Sequence, residues 1–327
     1  MSENEEAEWT GKRGQVDLGK KETILRGKST HVTSIVVDGK EIVITGGLSQ
    51  TAGLADEDEW YQDVADPELM IEGIMKSKVK VDIFTFWQRL PETEPKYKYY
   101  MEQESISAIP IKSFDHWWKY QINAKTRNLV RKAEKMGVVV KQADFNQEFI
   151  RGMRDIFNET PIRQYKPFWH YGKDTETIKR EFSRFSFRED HFGAYYNDEL
   201  IGFIFIAYAE KYAMLGQIIS KIGQREKAPN NALIAKAVEV CSNKKIPYLV
   251  YAMWNTGSLG DFKRHNGFER FDLPRYYVPL TLKGQLILKL RLHHGIAGVI
   301  PERLKHHIIN FRRKWYLMKS SSDSSRK

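Results

Sequence analysis

Cysteine is nearly absent: Cys241 is the single one in 327 residues, which excludes an intramolecular disulfide and every multi-cysteine metal site. A reducing compartment is the simple expectation. Long hydrophobic runs are missing as well. No stretch reaches eighteen uncharged apolar residues, so no transmembrane helix is predicted. A basic leader is lacking too, because residues 2–8 are acidic and polar, the opposite of a secretory n-region. The expected localisation is therefore cytoplasmic. No short-period repeat is present, and low complexity is confined to 320–325.

Positive charge is plentiful but concentrated. The chain carries a net +10, and residues 281–327 hold eleven Lys/Arg against Glu302 and Asp323, a net of +9. Within that extension Leu304, Ile308, Phe311, Trp315 and Leu317 are interleaved with Arg303, Lys305, Arg312, Arg313 and Lys314. This basic amphipathic pattern fits a helix lying on an anionic membrane surface. Nucleic acid, a solvated tail or docking on the protein's own body are the other readings.

Periodicity predicts a series of elements. Residues 1–30 lack it and are expected to be a flexible segment. A hairpin over 31–37 and 41–45 turns at Asp38-Gly39. A helix opens at Asp66-Pro67, strands follow over 79–87 and 98–111, and one long helix is expected from Ser113 to a stop at Gly137. From 138 to 280 the order reads β-α-α-β-β-β-α-β-α-β, which argues for an α/β domain with a mixed sheet. The domains expected are thus 31–137, 138–280 and the extension 281–327.

Three segments in that order resemble the GNAT superfamily of N-acyltransferases. They are the hairpin FGAYYNDELIGFIFI (192–206), the strand–loop–helix from Met214 to Cys241, and LGDFKRHNGFERF (259–271). NAKTRNLVRKAEKMGVVVK (123–141), together with FKRHNGF and LPRYYVPL, is similar to the Fem-like branch, whose members load amino acids onto cell-wall precursors. The resemblance implies tandem GNAT-like domains, with 31–137 a shortened first copy and 138–280 the complete second one. It implies an acyl donor, either acetyl-CoA/acyl-CoA or aminoacyl-tRNA, and an amine-bearing acceptor, a small molecule or envelope precursor. CoA-using members carry an Arg/Gln-x-x-Gly-x-Gly/Ala loop whose bare amides hold pyrophosphate. Here Gln224 or Arg225 can begin that motif, but 227–231 supply no glycine, and Pro229 has no N–H to offer. The helix N-terminus at Asn230 and Asn231 is left as the anion site.

Acyl transfer to an amine needs a donor pocket, a route for the amine proton and a stabiliser for the oxyanion. The resemblance puts Lys263 near the reacting carbonyl as that stabiliser; a solvated lysine on a short helix is the competing reading. The connection 159–171 is unusually aromatic and basic. In the family's layout it lines the acceptor site, with Glu159 or His170 as general base, Arg163 clamping a carboxylate or phosphate, and Tyr165, Trp169 and Tyr171 stacking on the acceptor. A packed Ω-loop is the alternative. Trp254 and Asn255 end the strand where this fold splays to admit the acyl chain.

Arg127, Arg131 and Lys135 recur at i, i+4, i+8, so an anion or a solvated face is expected there. Tyr276 either lines the pocket or packs in the core. His293-His294 and His306-His307 have no accompanying carboxylate cluster in sequence, and adjacent histidines on a helix point to different faces, so no metal is expected. The leading function is transfer of an acyl or aminoacyl group to an amine, by an enzyme peripheral to the inner membrane face. An acetyl-CoA-dependent N-acetyltransferase of a small amine or amino sugar is the alternative, and a non-catalytic lipid- or RNA-binding scaffold is the alternative of another class.

Overall fold

The computed structural model describes residues 18–25, 28–47, 49–55, 64–164, 166–183 and 189–295. Tyr165 and the amphipathic stretch from Leu304 onward lie outside the described residues.

The chain opens with β1 (Leu18–Leu25), β2 (Lys28–Val37), β3 (Lys40–Thr45) and β4 (Thr51–Leu54), then α1 (Pro67–Lys76), β5 (Ile83–Trp87) and β6 (Tyr100–Pro110). A short helix α2 (Phe114–His116) runs into a π-helical turn, Trp117–Gln121, before α3 (Ala124–Lys135). Next come β7 (Val139–Ala143), α4 (Gln147–Phe157), the small pair β8 (Ile162–Arg163) and β9 (Lys166–Pro167), and α5 (Thr175–Phe182). Three strands follow, β10 (Glu189–Tyr196), β11 (Glu199–Tyr208) and β12 (Ala213–Ser220), then a 3-10 turn at Ile222–Lys227 and α6 (Pro229–Asn243). The described part ends with β13 (Tyr248–Met253), α7 (Gly257–His265), β14 (Glu269–Pro279), α8 (Leu282–Lys289) and a 3-10 turn at Leu292–His294.

Two compact units result. Among the described residues the first takes 18–89, 95–102 and 274–295, and the second takes 90–94 and 103–273. In the first, β1 to β4 form antiparallel neighbours, β4 runs parallel to β5, and Arg275–Pro279 of β14 pairs antiparallel with β5. The β2–β3 turn has both Asp38 and Gly39 at positive φ, the conformation a two-residue hairpin demands. Helix α1 starts where Asp66 accepts from the Leu69 amide at 3.0 Å, and it buries Met70 and Ile74 against Ile35, Ile42 and Phe84.

The second unit orders its strands β6-β13-β12-β11-β10-β7, antiparallel except for β12 beside β13. Strand β11 is buried along almost its whole length because helices cover both faces. Ile204 and Ile206 meet α6 on one side; Phe203 and Phe205 meet α4 and α5 on the other. Both units are therefore α/β, with mixed sheets flanked by helices. Cys241 is buried on the α6 side, and burial pushes its thiol up to about 12.

Two expectations are corrected. Residues 18–25 form strand β1, where no fixed structure was expected for 1–30. The single helix expected over 113–136 is two, because Ile122 is extended and Asn123 caps α3 by accepting from the Thr126 amide at 2.9 Å. Buried Trp117, whose Nε1 donates to Asn266 O at 3.0 Å, holds the preceding π-turn in place.

Candidate active site

Strands β12 and β13 share two register pairs, Ala213↔Leu249 and Met214↔Val250, and then part. A cavity of about 560 Å³ opens in the gap. Ile218, Ile219 and Ser220 line it from β12, Tyr251 from β13, Ala228–Asn231 from the start of α6, and Ser258, Leu259 and Phe262 from α7. Arg163, Gln164, Pro167, Phe168 and Trp169 of the 159–171 connection and Arg225 of the 3-10 turn complete the wall. The structure thus gathers Arg163, Trp169, Arg225, Asn230 and Asn231 from the sequence-derived set onto one cavity.

Each wall has a local cause. Ala228 sits at φ 53, so the chain turns sharply between the 3-10 turn and α6, and Pro229 takes the first helical position. The amides of Asn231 and Ala232 are both turned to Ala228 O, at 3.1 and 3.4 Å, which occupies part of the anion site expected at that helix start. Asn231 Nδ2 donates to Asn266 Oδ1 at 3.1 Å and ties α6 to α7. Buried without a hydrogen-bond partner are the side-chain oxygens Gln224 Oε1 and Asn230 Oδ1.

Glu159 is occupied. Its carboxylate accepts from the amides of Ile222 at 2.6 Å and Gly223 at 2.9 Å and from Arg163 Nη2 at 3.1 Å. Two amides just ahead of the expected donor motif therefore already hold an anion, one belonging to the chain itself. Arg163 also donates to Ser220 O at 2.8 Å and Ile156 O at 2.9 Å, and stacks over Phe168 with 4.9 Å to the ring centroid. Burial, and Arg225 nearby, lower the Arg163 pKa against the opposing pull of Glu159.

His170 is 1% exposed and stacks on Phe157 at 4.3 Å, between Phe168 and Phe182. Burial pushes its pKa down to about 3, helped by Lys173 and Arg163, so it stays a neutral core ring and a poor general base. Tyr171 is exposed and donates its amide to Phe168 O.

Lys263 is 1% exposed, and its ammonium faces the backbone of β13. It donates to Tyr251 O at 2.6 Å, Met253 O at 2.7 Å and Asn255 Oδ1 at 2.7 Å, with Ser107 Oγ at 3.3 Å and the Tyr251 ring centroid at 4.3 Å. The cause lies in β13: its register against β6 shifts between Val250 and Met253, and Ala252 takes φ 48. That kink turns two carbonyls out of the ladder, and Lys263 satisfies both. Burial lowers its pKa to about 8. Close approach of α7 makes this reach feasible, since a Cβ at Gly260 would sit 2.1 Å from Asn255 O. Trp254 lies one residue beyond, its amide bonded to Ser105 O at 2.8 Å.

Other sequence-derived residues lie apart from the cavity. Arg127 Nη1 caps the carbonyls of Ile122 at 2.6 Å and Trp118 at 3.0 Å, and Arg131 stacks over Trp118 at 5.4 Å. The end of the π-turn therefore accounts for Arg127, while Arg131 and Lys135 are exposed. Tyr276 is fully buried in the first unit, donating to Gln88 Oε1 and accepting from the Lys96 amide, both at 2.9 Å. Sequence reasoning missed Tyr251, Ser258 and Phe262 as cavity residues. Tyr251 carried one usable signal, its position just before the strand end at Trp254. Its phenol is held up at about 12 by burial.

In fold, this arrangement is similar to two solved structures. FemX superposes with a TM-score of 0.55 at 9% identity, covering 84% of this chain and 90% of that one. The C-terminal domain of a putative lysylphosphatidylglycerol synthetase from Agrobacterium fabrum superposes with a TM-score of 0.52 at 12% identity, over 78% of this chain and 86% of that domain. No family model matches the chain, and no curated protein matches it by sequence. At these identities the likeness is one of fold.

Proposed function

We propose that the protein transfers an aminoacyl group from an oxygen-ester donor of the aminoacyl-tRNA type to an amine. The observation that carries this reading is the Glu159 carboxylate on the Ile222 and Gly223 amides, 2.6 and 2.9 Å away. That carboxylate stands at the entry to the expected donor loop, whose own positions 227–231 hold no glycine, and it repels a pyrophosphate approaching there. Arg225, exposed at the cavity wall, remains for a donor phosphate. The buried oxygen of Asn230 suits the ammonium of an aminoacyl group, which an acetyl group lacks. By fold analogy alone, FemX and the putative lysylphosphatidylglycerol synthetase point the same way, toward an envelope-precursor or lipid acceptor.

In the reaction the acceptor nitrogen attacks the ester carbonyl, a C–N bond forms and the C–O bond breaks. The amine loses a proton and the departing oxygen gains one. Tyr251, protonated at neutral pH, supplies that proton or a hydrogen bond to the leaving oxygen. Lys263 acts as a positioning residue that keeps the kinked end of β13 open. Glu159 and His170 take no proton in this scheme.

An anionic membrane surface is inferred as a partner of the chain. Helix α8 and its C-cap expose Leu282, Leu286 and Leu290 by 82, 56 and 53%, spaced four residues apart within the +9 extension. Calorimetric titration tests the donor. Charged tRNA should bind and, with an amine-bearing acceptor, be deacylated, while CoA and acetyl-CoA should give no saturable heat. One-to-one CoA binding would overturn this reading in favour of an acetyl-CoA-dependent N-acetyltransferase.

A further inference from the structure

Strand β6 and the 3-10 turn after α8, far apart in sequence, bring three ligand-type side chains together in the first unit. Glu102 Oε1 lies 3.1 Å from His293 Nε2, and Oε2 lies 2.6 Å from His294 Nε2. All three ligand atoms fall within 4.8 Å of one another. Adjacent histidines on an α-helix diverge, but here the chain leaves α8 through Arg291 at φ 55 and tightens into a 3-10 turn. The two rings end 4.1 Å apart, both directed at one carboxylate.

The surroundings are those of a built site. Tyr100 Oη donates to Glu102 Oε1 at 3.0 Å, the kind of outer-shell bond that orients a ligating carboxylate. The ring of Tyr277 packs edge-on to His293 at 4.7 Å, with Tyr100 at 6.0 Å, and the His293 side chain is 1% exposed. The other side is open: the His294 side chain is 43% and that of Glu102 28% exposed, which leaves a path for an ion.

We propose that Glu102, His293 and His294 form a binding site for a divalent first-row transition ion of the zinc class. Tetrahedral zinc with bonds of 2.0–2.2 Å separates its ligand atoms by roughly 3.3 Å, so small side-chain rotations close this set around an ion. Two imidazoles and one carboxylate suit Zn²⁺, Co²⁺ or Ni²⁺ better than Mg²⁺ or Ca²⁺. Three protein ligands leave a fourth position for water. The ion would staple the turn after α8 to strand β6. This inference is independent of the aminoacyl-transfer reading.

The test is titration of metal-stripped full-length protein with Co²⁺, followed by its visible ligand-field bands and by competition with Zn²⁺. One equivalent should bind, with a rise in Tm. His294→Ala is exposed enough to leave the fold intact, and it and Glu102→Gln should abolish the bands. Tyr100→Phe should weaken binding by about 10-fold. The double variant His306→Ala/His307→Ala should bind like the parent. The proposal is overturned by the lack of any saturable cobalt spectrum. It is equally overturned if His294→Ala and Glu102→Gln bind normally while the His306/His307 variant does not.

Discussion

Around α7, Lys263 gives its ammonium to three oxygens within 2.7 Å and a fourth at 3.3 Å, and shows 1% of its surface. On the 3-10 turn before α6, Arg225 lines the cavity from an exposed position and, among the described residues, makes no ion pair. The two cations belong to the same unit, but only Arg225 lines the cavity between β12 and β13. They differ in what desolvation demands of them. A buried cation must be surrounded by acceptors, and those acceptors then define its role as structural. A cation at a cavity rim keeps its hydration and stays free for an anionic ligand. Arg127, held by backbone carbonyls, sides with Lys263.

The sharpest way to break this contrast is Lys263→Ala. It leaves the Tyr251 carbonyl without its donor and Met253 O with Ser107 Oγ alone, and stability should fall by about 2 kcal/mol. An unchanged urea midpoint would sink the structural assignment and return Lys263 to the candidates for oxyanion stabilisation. The core imidazole of His170 gives the next largest effect. Folded His170 has its pKa near 3, against an ordinary value of 6.5. Between those values the unfolded chain holds the extra proton, so stability rises with pH and is lost on acidification. That adds a slope of about 1.4 kcal/mol per pH unit between pH 6 and 4. His170→Phe should remove this component from the acid unfolding curve, and an identical curve would show that the ring is protonated in the native state.

Arg127→Ala and Arg225→Ala should then separate stability from binding. The first should cost about 1.5 kcal/mol of stability, measured by denaturant melting, and leave donor affinity unchanged. The second should change stability by less than about 0.5 kcal/mol and weaken binding of charged tRNA about tenfold. The reverse pattern would exchange their roles. The smallest effect is at the kink itself. Ala252→Gly relieves a left-handed conformation costing about 1 kcal/mol but adds backbone freedom to the unfolded chain, so a net gain of about 0.5 kcal/mol is expected. A loss of stability would mean that the kink is imposed by contacts of the Ala252 side chain.

Much of the second unit was legible beforehand. The apolar runs of β10 and β11, the Asn197-Asp198 turn and the apolar face of α6 are local patterns, each complete within a short window. The break at Ile122 was not, because an apolar residue continues a helical period; Asn123 was the available signal, a capping residue inside an apparently continuous helix. For the site, sequence pointed to the right segments and to the wrong partners. Glu159 reads as a base until the amides of Ile222 and Gly223 are seen on its carboxylate, from a turn more than sixty residues on.

Composition and periodicity by themselves determined that this is an α/β chain with one buried thiol and a basic C-terminal extension. Short-range rules are sufficient for that, since hydrophobic period and turn chemistry act over a few residues. Tertiary structure alone decided which charges are free. That Lys263 faces carbonyls, that Glu159 fills the loop's amides, and that Glu102 meets His293 and His294 all depend on groups distant in the chain. Desolvation is felt only once those groups are packed together.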